Sequence, residues 1–156
     1  SGLALIDEVN NLKPRAVLDV GCGYNEFKGK IDNLIGIDPY NDEADLKVST
    51  LEYKTNQKFD AILCLGSVNF GNRDKIIAEV SRCVHLLADS GIMFFRVNPG
   101  VQHDKPEAYW IEFFGWNVPF IIELSNMFNL DILDIRDDTN QRKYFIFRKK
   151  LTNLEK

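Results

Sequence analysis

The chain has 156 residues, of which 45% are apolar, 12% aromatic and 27% charged, the composition of a globular chain able to bury a core. Disordered and fibrous classes are excluded on that count. Nineteen Lys and Arg stand against 23 Asp and Glu, a net charge of -4, so no overall field attracts phosphate backbones and nucleic acid is not an expected partner.

In chain order, Ser1 to Leu12 carries Asp7 and Glu8 where a signal peptide is basic and then apolar, and no apolar run approaches the length of a membrane span. A cytoplasmic protein without membrane association is expected. Cys22, Cys64 and Cys83 form no C-x-x-C pair and there are only two histidines, which predicts reduced thiols and no metal site. Short apolar runs of the buried-strand type fall at Ala16–Val20, Leu34–Ile37, Ala61–Leu65 and Ile92–Val97, with a weaker alternation at Asp45–Ser49. A very short helix interrupted by Gly29 is expected over Glu26–Asn33. Between the third and fourth strong runs, Ile76, Ile77, Val80, Val84 and Leu87 repeat at helical spacing, with Asn72 or Asp74 as cap and Ser90-Gly91 as the stop.

Beyond Asn98-Pro99-Gly100, helices are predicted at Pro106–Phe114 and Pro119–Phe128, and strands at Leu130–Arg136 and Lys143–Arg148. Only the short stretch between Arg136 and Lys143 joins the last two strands, which permits an antiparallel hairpin and no parallel crossover. The expected fold is therefore α/β, a doubly wound sheet of about seven strands, parallel except for the last, with helices on both faces. No linker divides the chain, so residues 1–156 are read as one domain.

The candidate site starts where the first strand runs through Asp19-Val20 into the turn Gly21-Cys22-Gly23. Glycine admits positive φ and lets a ligand approach the backbone. Asp38, ending the next strand, lies 17 positions after Gly21, near the roughly 20-residue spacing at which an acid reaches a ribose held over such a turn. A dinucleotide site would place a third glycine where Glu26 sits, so an NAD-dependent reductase is disfavoured.

Asp19-Val20-Gly21-Cys22-Gly23 resembles the first motif of class I S-adenosylmethionine-dependent methyltransferases, and Ile35-Gly36-Ile37-Asp38 their second-strand motif. Phe59–Leu65 and Leu86–Ile92 resemble the family's fourth strand and its approach to the fifth. The family's fold also has the expected seven-stranded sheet with an antiparallel last strand. The resemblance implies S-adenosyl-L-methionine as cofactor. Asp19, Gly21, Cys22 and Gly23 would then surround its methionine part, Asp38 would hold the ribose, Ser49, Thr50 and Leu51 would border the adenine, and Leu65 and Gly66 would present backbone carbonyls. Asn25 stands where a third motif glycine is usual, and Ser49 where an acid often follows strand three.

For the acceptor, Asn69 and Phe70 follow the fourth family strand, and Tyr109, Trp110, Phe113, Phe114 and Trp116 crowd the segment after the fifth. Tyr109 and Trp116 are the expected acceptor-side aromatics, alternatively plain core. His103, flanked by Asp104 and Glu107, is the candidate general base, because an imidazole titrates near neutrality and a carboxylate can orient it. His85 is read as structural. No Asn/Asp-Pro-Pro-Tyr motif follows Cys64-Leu65-Gly66-Ser67, which argues against DNA adenine methylation. The expected activity is methyl transfer to a small-molecule acceptor. The alternative is a non-catalytic methyltransferase-like binding module acting through a partner.

Overall fold

The computed structural model describes residues 2–98, 114–138 and 141–151. Helix α1 (Gly2–Asn11) leads into strands β1 (Val17–Val20), β2 (Leu34–Ile37) and β3 (Phe59–Leu65). Helix α2 (Arg73–Leu86), strand β4 (Leu87–Val97), helix α3 (Val118–Met127) and the hairpin β5 (Leu130–Asp137) and β6 (Lys143–Lys149) follow.

The strands form a single sheet in the order β2-β1-β3-β4-β6-β5. β1 pairs in parallel with β2 and β3, and β3 with β4, whereas β6 runs antiparallel to both β4 and β5. This is the sheet direction expected from the short final connection. Both faces are covered, and the side chains alternate accordingly. Leu18, Ile62, Cys64, Met93 and Phe95 face the core under α2 and α3. Val17, Ala61, Leu63 and Phe94 face a second core closed by Leu5 and Val9 of α1.

The α2 helix starts where its cap demanded: Asn72 is extended and its side chain accepts from the Lys75 amide. It ends before Ser90-Gly91, however, because Leu87 is already extended and begins β4. Ser90, at φ 63, lies inside β4, where the register runs from Leu87 opposite Phe59 to Ile92 opposite Ala61. The Ser-Gly pair therefore marks a bulge in a strand. Asn117 caps α3 by accepting from the Phe120 amide at 2.8 Å, with Pro119 in the first turn.

The sheet has six strands among the described residues, one fewer than expected. Residues 45–48 make only an isolated bridge, Leu46 opposite Ile37. The Asp45 carboxylate takes the Gly36 amide at 2.8 Å, and the Val48 amide turns back on the Leu46 carbonyl at 3.1 Å, so the ladder stops after one step. The short helix over Glu26–Asn33 is also absent. Asn25, Gly29 and Asn33 take φ of 60°, 82° and 59°, and left-handed residues at that spacing break a right-handed helix into turns. The expected helix at Pro106–Phe114 falls outside the described residues, apart from Phe114.

Candidate active site

The strand order reverses between β1 and β3, and the carboxyl ends of β1, β2 and β3 open there onto a cleft of about 680 Å³. Ligands of open α/β sheets bind at such switch points, and the volume lies in the range of small-molecule sites.

One wall is the glycine turn. Gly21, at φ 66, admits no side chain, because a Cβ there would stand 2.2 Å from the Cβ of Ser67. Ser67 in turn donates to the Val20 carbonyl at 2.7 Å, fastening the end of β1 to the loop after β3. Gly23 takes φ 56 for a different reason: its missing Cβ faces open space, while its amide donates to Asp38 Oδ2 at 3.0 Å. Asn25 adopts φ 60 where a third glycine was expected. Its amide group crosses over Gly36 and donates to the Glu43 carbonyl at 3.0 Å and to Asp45 at 3.4 Å. Lys28 completes this strut with an ion pair to Asp45 at 3.0 Å.

Asp38 is the second wall. Besides Gly23, it accepts the amides of Tyr40 and Asn41 on Oδ1 at 2.8 and 3.1 Å. Three of the roughly four acceptor positions of a carboxylate are thus filled by backbone, and one is left on Oδ2. Beneath the turn lies Asp19, only 5% exposed. Its carboxyl is pushed up to about 7, first by burial and then by the neighbouring charge of Asp38. The Cys22 thiol is raised to about 11 by burial and by Asp19, Asp38 and Asp45, so it is held as an unreactive thiol.

The remaining walls are the segment Val48–Glu52, Gly66 and Ser67 after β3, Phe70, and the side chains of Lys75 and Glu79 on α2. Ser49 Oγ donates to Glu52 at 2.7 Å and accepts the Glu52 amide at 3.3 Å, which fixes the bend that presents Thr50 and Leu51.

Of the residues expected at the cofactor, Gly21, Asp38, Ser49, Thr50, Leu51 and Gly66 line this cleft together. Asp19, Cys22 and Gly23 stand behind or beside the glycine wall, and Leu65 is partly buried against the α1-side core. Phe70, expected on the acceptor side, lines the cleft. Asn69 and Trp116 do not line it. Asn69 is 2% exposed; its Oδ1 accepts the Asn98 amide at 2.9 Å and its carbonyl the Phe114 amide at 2.8 Å, so it ties together the two ends of the connection 98–114. Trp116 is 1% exposed, donates its indole N–H to the Val68 carbonyl at 2.9 Å and packs on Phe95, Phe114, Phe120 and Phe145. It is core. His103 and Tyr109, with Asp104, Glu107, Trp110 and Phe113, lie outside the described residues. His85 is exposed near the end of α2, with its pKa lowered chiefly by the charge of Lys58.

Sequence reasoning passed over Lys75 and Glu79. A signal existed for Glu79: it sits three residues after Ile76 and one before Val80, on the buried stripe of its helix. Among the described residues no group of His, Cys, Asp and Glu is arranged to hold a metal ion, and no helix is long and apolar enough to cross a membrane.

No family model matches the chain, and none of the curated proteins matches it. Its fold does match solved structures. The N-methyltransferase NodS of Bradyrhizobium japonicum WM9, in complex with S-adenosyl-L-homocysteine, superposes with a TM-score of 0.65 at 14% identity, over 87% of this chain and 78% of that one. A 1,6-didemethyltoxoflavin-N1-methyltransferase of Burkholderia thailandensis, with its substrate and S-adenosylhomocysteine bound, gives 0.69 at 17% identity over 87% and 71%. Magnesium protoporphyrin IX methyltransferase of Synechocystis PCC 6803, with S-adenosylmethionine bound, gives 0.70 at 12% identity over 94% and 76%. The chain thus has the Rossmann-like fold of class I S-adenosylmethionine-dependent methyltransferases.

Proposed function

We propose that this chain transfers a methyl group from S-adenosyl-L-methionine to a small-molecule acceptor. The observation that carries the reading is the cleft itself. In a fold shared with methyltransferases, the glycine turn, the Asp38 carboxylate and the Ser49–Leu51 bend meet at the switch point of the sheet. That solved relatives of this fold include enzymes named for small-molecule substrates supports the choice of acceptor class.

The residues present fit such a cofactor. Gly66, at φ 123 with nothing within 4 Å of a hypothetical Cβ, leaves bare backbone along the cleft for a flat base. Asp38 keeps one acceptor position for a ribose hydroxyl, and its three backbone bonds hold that position still without help from the ligand. Asp19 answers a positive charge: a cation beside it favours the ionised carboxylate that burial disfavours. When bound, S-adenosylmethionine supplies a methyl already activated by its sulfonium. The protein's share is alignment of the acceptor and exclusion of water. Phe70 lines the cleft and belongs to this proposal as an acceptor contact. Tyr109 belongs to this proposal as an acceptor contact and His103 as a base for acceptors that must lose a proton.

Isothermal calorimetry with S-adenosylhomocysteine, S-adenosylmethionine and NAD tests the reading. Binding of the first two and not of NAD is expected. No heat and no thermal shift with either adenosyl compound at millimolar concentration overturns it.

A further inference from the structure

Glu79 is out of place in its helix. The buried stripe of α2 consists of Ile76, Val80, Cys83 and Leu86, and Glu79 is the one charged member, its side chain only 9% exposed. A carboxylate among apolar neighbours costs free energy that a Leu or Met at the same position would not. Burial accordingly pushes the Glu79 carboxyl up, while Lys75, one turn before it, pulls it back. The Lys75 ammonium is 3.4 Å from Glu79 Oε1 and 3.4 Å from the Phe70 carbonyl, and its own side chain is half exposed. The pair therefore points a buried acid and its counter-charge at one place, and that place is the cleft, which both residues line.

Within the cleft, their position is informative. Glu79 and Lys75 line the same cleft as Asp38 and Gly21 and as the bend residues Val48, Ser49 and Thr50. On the proposed reading, a nucleoside whose ribose is held by Asp38 lays its base against the bend of Ser49, Thr50 and Leu51, which lines that cleft with Glu79. The bend after β2 offers Ser49 to the base, and the Ser49 hydroxyl is already committed to Glu52. Base recognition in this chain has no acid from its own bend other than Glu52, and the Glu52 carboxylate is itself tied to Ser49.

We infer that Glu79, oriented by Lys75, is the residue that reads the base, accepting a hydrogen bond from the exocyclic amino group of an adenine and rejecting bases that carry an oxygen there. This deepens the proposed function and rests on it. A carboxylate is acceptor-only when ionised, so an amino group satisfies it and a carbonyl oxygen repels it. The buried setting makes the difference large, because an unmatched buried charge has no water to turn to.

The test compares S-adenosylhomocysteine with its 6-oxo analogue, S-inosylhomocysteine, by calorimetry on the wild type and on Glu79→Gln, with thermal melts to show that both are folded. The wild type should prefer the amino compound by about tenfold or more, the scale of one hydrogen bond to a charged group. Glu79→Gln should shrink that preference to within about threefold, because a Gln amide rotates to accept from an amino group or donate to an oxo group. A wild type that binds both compounds equally overturns the assignment without any variant. So does a folded Glu79→Gln protein that keeps the full preference, and in both cases cofactor binding itself stands. A wild type that binds neither compound overturns the methyltransferase reading and this inference together.

Discussion

Asp19→Asn should make the protein more stable and less able to bind its cofactor, and the stability gain should depend on pH in a calculable way. Burial and Asp38 hold the Asp19 carboxyl at about 7 against an ordinary 3.8. Because the folded value lies above the unfolded one, the folded protein binds the extra proton between those two values, and stability is lost as pH rises from about 4 to about 7. At about 1.4 kcal/mol per pH unit, the ionised group costs the fold about 4 kcal/mol above pH 7. An Asn amide removes that charge, but left without a partner it returns about 1–3 kcal/mol of the gain. The part that does not depend on such compensation is the slope. Between pH 5 and pH 8 the advantage of the variant over the wild type should grow by about 2–3 kcal/mol, or roughly 4–12 °C in Tm. Urea or thermal unfolding of both proteins at half-unit pH steps reads this directly. Parallel curves across pH 5 to 8 would show that Asp19 ionises normally and that the site is not built as described.

Asp38→Ala should lower stability by about 1–2 kcal/mol as well as weaken cofactor binding, since the amides of Gly23, Tyr40 and Asn41 lose their acceptor together; a thermal melt unchanged from wild type contradicts that. Gly21→Ala should cost more than Gly23→Ala. Both require a left-handed residue, about 1–2 kcal/mol, but only at Gly21 does the new Cβ collide with Ser67. Equal midpoints in urea would remove the close approach as the reason for that glycine. Trp116→Ala should destabilise by about 3–5 kcal/mol through cavity formation, with S-adenosylhomocysteine affinity unchanged when measured on the folded fraction; a stable Trp116→Ala protein with impaired acceptor binding would return that residue to the site.

Elements with a strong period were legible, and those decided by a single side chain were not. The apolar runs ending at Val20, Ile37 and Leu65 became the three strands whose ends make the cleft. The final hairpin followed from the shortness of its connection. At Asp45, by contrast, alternation suggested a strand, but a carboxylate able to cap the Gly36 amide replaced the next ladder bond. The run after Asn25 failed as a helix because Asn and Gly tolerate the left-handed region, which sequence composition permits but does not dictate. Within the site, Asp38 and the glycines were visible from spacing. Asn69 was conspicuous for its place after a strand, yet its side-chain oxygen is taken by the Asn98 amide and its backbone carbonyl by the Phe114 amide. Glu79 was hidden by the opposite error, since a charged residue between Ile76 and Val80 reads as a solvated position unless the helix phase is followed residue by residue.

The acids of the cleft also link stability to ligand. Asp19 and Asp38 repel each other, and Glu79 is desolvated with only Lys75 to offset it. Such charges weaken the empty protein. On the proposed reading, a ligand whose cation meets Asp19 and whose amino group meets Glu79 relieves both, so its binding free energy would contain the strain of the empty cleft. Saturation at one hundred times Kd stabilises a fold by about 2.7 kcal/mol, of the same order as the cost assigned to Asp19 at neutral pH. The two effects therefore compete on the same pH axis. Below pH 6, where Asp19 in the empty protein is protonated, a cationic ligand must displace a proton to gain its counter-charge, and its thermal shift should be smaller than at pH 8. Asp19→Asn abolishes that proton exchange, so the variant should show a ligand-induced shift that is weak at every pH and flat across the range, while Glu79→Gln should leave the rise with pH around 7 in place.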